Sequence, residues 1–273
     1  MIKAGKRLTI LSNFEIENLY GIPFFNDEQR ANYFRLDDLE NVTMKSLKSL
    51  ESRVYFILQL GYFKYKRIFC KINFEEIKKD VEYILSQYFS GSKLKKMVSK
   101  KTRIYNHSKI LSHISYVDFD KESEKKLIER AFKFSKTCVD PKRIFDDLLD
   151  YLDQIRTSIP GYSTLQKIIS KVLMEENERL QSIVTNHIPQ YVDKALQRLL
   201  KNDEQMYGVT LLKKDAKGFN YTEIMHEIDK KCSSDKLYTF AKKIIPKLEI
   251  SSQNVCYYAS LVDYYTVDKL NEL

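Results

Sequence analysis

The sequence predicts an all-α protein, and three observations carry the prediction. Glycine and proline, the residues that most often interrupt helices, are scarce, with seven and five among 273 residues. Apolar side chains recur at helical spacing throughout the chain, without a convincing strand pattern. Several segments carry the residues of a capping box, as in Asn73–Glu76, Ser163–Gln166 and Asn220–Glu223. We therefore expect a multi-module helical protein with helix-turn-helix-like units.

Taken in chain order, the apolar periodicity and the caps define a series of helices with short connections. Asp140-Pro141, for example, places a capping carboxylate before a first-turn proline, which predicts a helix from residue 141. The complete prediction comprises helices over 13–20, 27–34, 45–65, 74–89, 93–100, 102–115, 121–137, 141–156, 163–174, 176–185, 189–202, 221–232, 235–245, 252–262 and 264–271.

Two places in the sequence suggest domain boundaries. The charge changes from basic to mixed near residues 116–120, and two glycines lie in the polar stretch 207–220. We therefore predict three parts, which are a basic N-terminal module over 1–117, a second three-helix module over 118–205, and a C-terminal helical segment over 206–273.

The net charge of +9 is concentrated in one segment. Residues 61–110 contain thirteen Lys or Arg against four Asp or Glu, so their surplus equals that of the whole chain. No acidic residue occurs between Tyr83 and Val117. A localised basic surplus of this kind is typical of a polyanion-binding surface.

A helical projection of the basic segment from Thr102 separates an apolar arc from a polar one. Ile104, Ile110, Leu111 and Ile114 share the arc that we expect to be buried, and His107 falls inside it, which favours packing over contact with a ligand. Tyr105, Asn106, Lys109 and His113 fall on the opposite arc, with Arg103 at the border. The DNA-contact candidates of this segment are Lys93, Lys95, Lys96, Lys100, Lys101, Arg103, Tyr105, Asn106, His107 and Lys109.

The alternative for this segment is an ordinary solvated helix face, since exposed lysines are common. The absence of acids favours nucleic acid, because solvated helices usually mix charges that pair at i,i+4. Lys3, Lys6 and Arg7 could add a basic arm at the start of the chain.

The apolar spacing in the middle of the chain predicts two helices, over 142–156 and 162–173, joined by a short turn. A DNA-binding helix-turn-helix protein places the N-terminal part of its second helix in the major groove of DNA. The alternative is a hairpin in a plain helical bundle. The contact candidates here are Arg156, Tyr162, Ser163, Thr164, Gln166, Lys167 and Lys171.

Motifs for catalysis or cofactors are missing from the sequence. It contains no Gly-rich phosphate loop, no G-x-S-x-G and no H-E-x-x-H, and its histidines and four cysteines do not lie at metal-ligand spacing. We therefore expect no catalytic residue, no metal and no cofactor in this chain. The separate cysteines and the lack of a long apolar run predict a cytoplasmic protein without membrane contact.

Three stretches resemble the N-terminal region of Tn3-family transposases. They are LSNFEIENLYGIP (11–23), ESRVYFILQLGYFKY (51–65) and the T-R-x-x-x-H pattern of Thr102, Arg103 and His107. KLEISSQNVCYYASLVDYYTVDKL (247–270) is similar to the segment that joins the DNA-binding region of these enzymes to the remainder. The resemblance covers the chain in order.

The resemblance implies a function. In this family, several helical N-terminal modules bind the terminal inverted repeats of the transposon, and an RNase H-like domain with three carboxylates and divalent metal performs catalysis. We would expect that domain beyond Leu273, so the chain would be a non-catalytic end-recognition portion, produced by natural truncation or by cutting. Its partner would be double-stranded DNA, with self-association in the full-length transposase and a nucleoid location in a bacterium when bound.

Two other functions remain open at this point. A helical scaffold for transposase assembly could dock through the aromatic C-terminal residues Tyr257, Tyr258, Tyr264 and Tyr265. A stand-alone nuclease is a further alternative, but no constellation of carboxylates in the sequence supports it.

Overall fold

The structure is a computed structural model that describes residues 8–94, 96, 98–200, 202–203, 206–207, 218 and 220–264. The predicted all-α fold is confirmed. Within the described residues there are twelve helices and one pair of two-residue antiparallel strands. The elements are α1 Asn13–Tyr20, α2 Asp27–Tyr33, α3 Asp38–Ser46, α4 Leu50–Lys66, α5 Lys78–Tyr88, α6 Lys100–His113, α7 Lys121–Ser135, α8 Pro141–Gln154, α9 Tyr162–His187, α10 Gln190–Leu200, β1 Asn202–Asp203, β2 Met206–Tyr207, α11 Tyr221–Leu248 and α12 Ser252–Tyr264.

Several predicted boundaries were wrong. The described residues of 93–99 are not helical, although a helix was predicted there. Helix α3, over 38–46, was not predicted. The breaks predicted near 175 and 233 do not exist, since α9 and α11 run through them. The helix predicted over 264–271 lies outside the described residues beyond position 264.

The capping predictions had mixed outcomes. Asn220 caps α11, because its side chain accepts a hydrogen bond from the backbone N–H of Glu223 at 2.8 Å. The box at Asn73–Glu76 starts no helix, as α5 begins at Lys78 after Ile77, which has no side-chain cap. Asn73 instead donates its side-chain N–H to the Glu76 carboxylate at 2.9 Å.

The described chain forms two compact units, of which one comprises Leu8–Arg130 and Pro141–Ile169. Its core surrounds α4, which packs against α2, α3, α5 and α6. Every residue of α4 from Val54 to Phe63 is buried, as expected for a helix that is apolar on all sides. Gly61 allows the Phe34 ring to pack directly against the backbone of α4, because a Cβ at this position would lie 2.5 Å from the ring.

Buried charges in this unit are paired. The Arg30 guanidinium contacts the Asp80 carboxylate at 2.7 Å, and the other Asp80 oxygen accepts a hydrogen bond from the Tyr62 hydroxyl at 2.6 Å. Burial, with the Asp80 charge second, raises the pKa of Tyr62 far above its usual value. Lys64 pairs with Glu40 at 2.7 Å. These pairs connect α2, α3 and α5 to the central α4, where an unpaired charge would be costly.

The predicted module boundary near residue 117 falls inside this unit. Val117 donates its N–H to the Arg156 carbonyl at 2.9 Å, and Ser158 donates to the Val117 carbonyl at 3.0 Å. The pair forms an isolated parallel bridge between residues 117 and 157. The turn after α8 is thereby tied to the segment after α6.

The other unit contains Ala131–Asp140 and the described residues from Ser170 onward. Asn254 on α12 accepts from the Val139 N–H at 2.9 Å and donates to the Ser135 carbonyl at 2.9 Å. Arg179 binds the buried Glu176 carboxylate at 2.7 Å, which helps to explain why α9 continues through this point. None of the described helices is long and apolar enough to cross a membrane.

Candidate nucleic-acid interface

The basic segment of the sequence is built around the start of α6. Ser99 caps this helix, since its hydroxyl oxygen accepts a hydrogen bond from the Thr102 N–H at 3.3 Å. Ile110 and Leu111 are buried and hold α6 against the core around α4. The first turn of α6 begins with Lys100 and Lys101 and contains no acidic residue that could pair with them.

Five of the lysines predicted in this segment are exposed and lie on α6 or just before it, and we call them the α6 lysines: Lys93, Lys96, Lys100, Lys101 and Lys109. Over the described part of the chain, none of them forms an ion pair with a carboxylate. Lys125 and Lys126 on α7, in contrast, are interspersed with acids, and Lys126 pairs with Glu122 at 2.8 Å. Lys95, which was also predicted as a contact, lies outside the described residues, as do Lys3, Lys6 and Arg7.

Aromatic and hydroxyl groups share the exposed side of α6 with the lysines. Tyr105 is 53% exposed, and the Lys109 ammonium lies 5.6 Å from the centre of its ring. Ser108 and Ser112 are exposed on the same side and were not predicted. Their positions three and seven residues after Tyr105 were the available signal.

The predicted orientation of α6 was partly wrong. Asn106, expected on the outer face, is fully buried and donates its amide N–H to the Ser52 hydroxyl at 3.1 Å. Ile104, expected inside, is 62% exposed. The physical reason is that Ser52 of α4 supplies a buried partner for the amide, so the polar residue faces the core. Asn106 is therefore unavailable for a base contact in this structure.

His107 occupies a packing position, as the apolar arc predicted. Its ring is parallel to that of Phe69, with centres 3.8 Å apart, and its Nε2 shares a 2.9 Å hydrogen bond with the Tyr55 hydroxyl. Burial lowers the pKa of His107 to about 4. The ring is consequently uncharged near neutral pH and is not a phosphate-binding cation there. The half-buried Arg103 donates from Nε to the Val98 carbonyl at 3.3 Å.

The second predicted surface lies at the turn between α8 and α9. Ser163 and Lys167 are exposed and Thr164 is half-buried, so these three remain accessible. Lys171 is exposed, with its ammonium 3.8 Å from the Glu175 carboxylate. Arg156 is exposed in a left-handed conformation (φ 48°), and its guanidinium lies 5.7 Å from the Tyr116 ring centre.

Two residues of this second surface have structural partners. The Tyr162 hydroxyl oxygen accepts hydrogen bonds from the N–H groups of Ile10 and Leu11, at 3.1 and 3.2 Å. Gln166 donates its amide N–H to the Leu8 carbonyl at 2.5 Å. The two side chains thus hold the first described residues against the start of α9, and no local pattern in the sequence indicates this long-range role.

A cleft of about 810 Å³ lies beside the start of α9. Phe69, Phe119 and Ile159 contribute apolar walls. Its charged lining residues are Glu17, Lys71, Glu76 and Asp118, with three carboxylates against one ammonium. A net negative lining repels phosphate, so this cleft does not extend the basic surface. The described residues also contain no group of three or more side chains that could hold a metal ion.

Comparison with known families matches more than half of the chain. The family model described as "Domain of unknown function (DUF4158)" covers residues 10–172. The chain belongs to the DUF4158 family. The matched range includes the core around α4, the α6 lysines and the turn between α8 and α9. No curated protein matches the chain.

Proposed function

We propose that this chain binds double-stranded DNA sequence-specifically and recognises transposon terminal inverted repeats, as the end-recognition part of a Tn3-family transposase. Support comes from the resemblance at both ends of the sequence and from membership of a family that occurs in such transposases. The observation that carries the proposal is the set of α6 lysines, exposed around a helix start and unpaired with carboxylates in the described chain.

The position of Lys100 and Lys101 is unfavourable for the isolated protein. The N-terminal end of a helix carries a partial positive charge, so each cation in the first turn costs about 0.3–1 kcal/mol. No acidic side chain of that turn offsets this cost. A bound phosphate would reverse the sign of the interaction, since free backbone N–H groups and lysines would then face an anion.

The geometry favours particular roles for the residues of this surface. The α6 lysines neutralise phosphates, and Arg103 and Tyr105 on the same helix are the nearest candidates for base or sugar contacts. If each of the five lysines neutralises one phosphate, log affinity falls with log salt at a slope of about −4.5. Asn106 and His107 are excluded from this proposal because they pack inward.

The second contact in the proposal is the start of α9. Ser163, Thr164 and Lys167 offer two hydroxyls and a cation there, with Arg156 on the preceding turn. The acidic cleft beside them makes this the weaker of the two surfaces. The chain would position a separate catalytic domain and perform no chemistry of its own.

The test begins with selection of duplexes from a random library, followed by fluorescence anisotropy with the selected duplex and a scrambled duplex of equal composition. We expect the selected duplex to bind at least about tenfold more tightly, as specific sites generally do. Lys100→Glu/Lys101→Glu should lower the affinity for both duplexes and reduce the steepness of the salt slope by about two.

The matched control is Lys121→Glu/Lys125→Glu on α7, which makes the same charge change on two exposed lysines of a helix with mixed charge. This variant should bind DNA within about twofold of the wild type. Absence of any enriched sequence would refute specific recognition. An equal loss of affinity in both variants would show that net charge, and not the α6 surface, determines binding.

A further inference from the structure

The exposed side of α6, a helix that the structure describes in full, carries one aliphatic side chain among basic and small polar ones. Ile104 is 62% exposed, whereas Ile110 and Leu111 of the same helix are buried. The other exposed residues of α6 are Lys100, Lys101, Tyr105, Ser108, Lys109 and Ser112. Since isolated apolar residues on a surface are common, the surroundings of Ile104 decide its meaning.

Burial alone would favour the opposite orientation for two residues of α6. The amide of Asn106 is fully buried and bonded to the Ser52 hydroxyl, whereas the branched side chain of Ile104 remains in water. An apolar side chain left in water forgoes the transfer free energy that burial supplies. The bond to Ser52 and the buried Ile110 and Leu111 together fix this orientation. Departures of this kind from local expectation occur at functional sites, so Ile104 is a candidate for contact with a partner.

The exposed side of α6 has the features of a helix that enters a groove. At 100° per residue, the short side chains of Ser108 and Ser112 project between those of Ile104 and Tyr105. The backbone of α6 can therefore approach a surface closely between the two larger side chains. Lys101 projects onto the same arc, and α6 contains no acidic residue. The major groove of B-DNA, about 12 Å wide, admits a helix, and its phosphates are complementary to this basic face.

The chemistry of isoleucine restricts what Ile104 can contact on a base pair. Its side chain has no hydrogen-bond donor or acceptor, so it cannot pair with the polar base edges. In the major groove, the C5-methyl group of thymine is the apolar group that the four bases offer. Against a guanine or cytosine edge, Ile104 would displace water from a polar atom without replacing the lost hydrogen bond. An aliphatic side chain on this face therefore favours thymine.

We propose that Ile104 is a specificity-determining residue that packs against the C5-methyl group of a thymine in the major groove. The inference rests on the proposed function, because it requires α6 to lie in that groove. Ile104 is the fifth residue of α6, within the N-terminal part that a recognition helix turns toward the bases. The α6 lysines then supply affinity for any sequence, and Ile104 supplies a preference for one base pair. Removing one methyl group from water contributes roughly fourfold in affinity.

A second exposed aliphatic residue provides the matched control. Leu39 on α3 is 71% exposed, and it follows Asp38 in a first turn that is acidic. A negative charge beside it opposes the approach of a phosphate, in contrast to the acid-free face of α6. Leu39→Ala thus removes a comparable exposed side chain from a surface without the charge that DNA requires.

The test replaces each thymine of the selected duplex, one at a time, by deoxyuridine, which removes the methyl group and keeps the polar edge. The full wild-type chain should bind roughly fourfold more weakly, by fluorescence anisotropy, when one particular thymine is replaced. Ile104→Ala should bind the thymine and uracil forms equally, with about the affinity of the wild type for the uracil form. Leu39→Ala should keep the fourfold difference. Selection from the random library with Ile104→Ala should lose the preference for thymine at that position.

The possible failures separate this inference from the proposed function. If the wild type binds every uracil-substituted duplex as it binds the parent, the thymine contact is overturned and specific recognition stands. If Ile104→Ala keeps the difference between thymine and uracil, another residue contacts the methyl group and the role of Ile104 is overturned. If selection enriches no sequence, the proposed function fails and this inference fails with it. Because Ile104 is exposed, its truncation should leave the circular dichroism and the urea midpoint unchanged.

Discussion

His107 predicts a measurable dependence of stability on pH. Its ring packs on Phe69 and binds the Tyr55 hydroxyl, and burial lowers its pKa from 6.5 to about 4. Asp118 opposes this shift and Arg103 adds to it. Because the folded-state pKa lies below the unfolded value, the unfolded chain binds more protons between about pH 6.5 and pH 4. Stability is therefore full above this window and is lost as the pH falls through it.

The magnitude follows from the two pKa values. A fall from 6.5 to about 4 corresponds to about 3 kcal/mol of unfolding free energy, and screening of the half-buried ring by solvent reduces this to about 2 kcal/mol. His107→Phe keeps the stacking and removes the titration. Urea unfolding near pH 7 and pH 4.5 should show a loss about 1.5 kcal/mol larger in the wild type than in the variant.

DNA binding by the same variant separates packing from contact. If His107 acts only in the core, His107→Phe should bind the selected duplex within about twofold of the wild type at neutral pH. Equal pH dependence of stability in the two proteins would refute the buried, uncharged histidine. A selective loss of DNA affinity with unchanged stability would refute the packing role.

Three further variants test other parts of the structure by urea unfolding. Asp80→Ala removes the buried carboxylate that pairs with Arg30 and accepts a hydrogen bond from the Tyr62 hydroxyl, and leaves Arg30 only its exposed partner Asp27, so it should cost about 3–5 kcal/mol. Gly61→Ala places a methyl group 2.5 Å from the Phe34 ring and should cost about 1–3 kcal/mol through overpacking. Asn106→Ala removes a buried hydrogen bond and should cost about 1–3 kcal/mol while leaving the DNA affinity of the folded protein unchanged.

Two of these variants have a matched control. Gly161→Ala adds a methyl group with no atom within 4 Å and should change stability by less than about 0.5 kcal/mol. Glu122→Ala breaks an exposed ion pair and should cost under about 1 kcal/mol. Controls as destabilised as the core variants would show that the core contacts are not the cause. A tenfold loss of DNA affinity in Asn106→Ala would return that residue to the interface.

Local signals in the sequence predicted the helical fold and failed where distant partners decide. Helix α1 was predicted with its observed limits, because the Ser12 capping box lies directly before it and Gly21 and Pro23 follow it within a few residues. The orientation of α6 was not predictable from its own residues. Asn106 turns inward because Ser52, more than fifty positions earlier, accepts its amide N–H.

The candidate site shows the same division. The α6 lysines were predicted from charge alone, and they are exposed without an ion pair in the described chain. Tyr162 and Gln166 were predicted as contacts from their place at a helix start. Their partners, Ile10, Leu11 and Leu8, lie about 150 residues earlier, and no helical periodicity encodes such a pairing.

The bonds from Tyr162 and Gln166 to residues 8–11 also impose an order on biosynthesis. The first described residues leave the ribosome long before their partners, which lie 151 to 158 positions later in the chain. At translation rates of about 5–20 residues per second, this interval lasts roughly 8–30 s. The helices around α4 can pack during this time, whereas the N-terminal segment must wait, unbound, until the start of α9 has been synthesised.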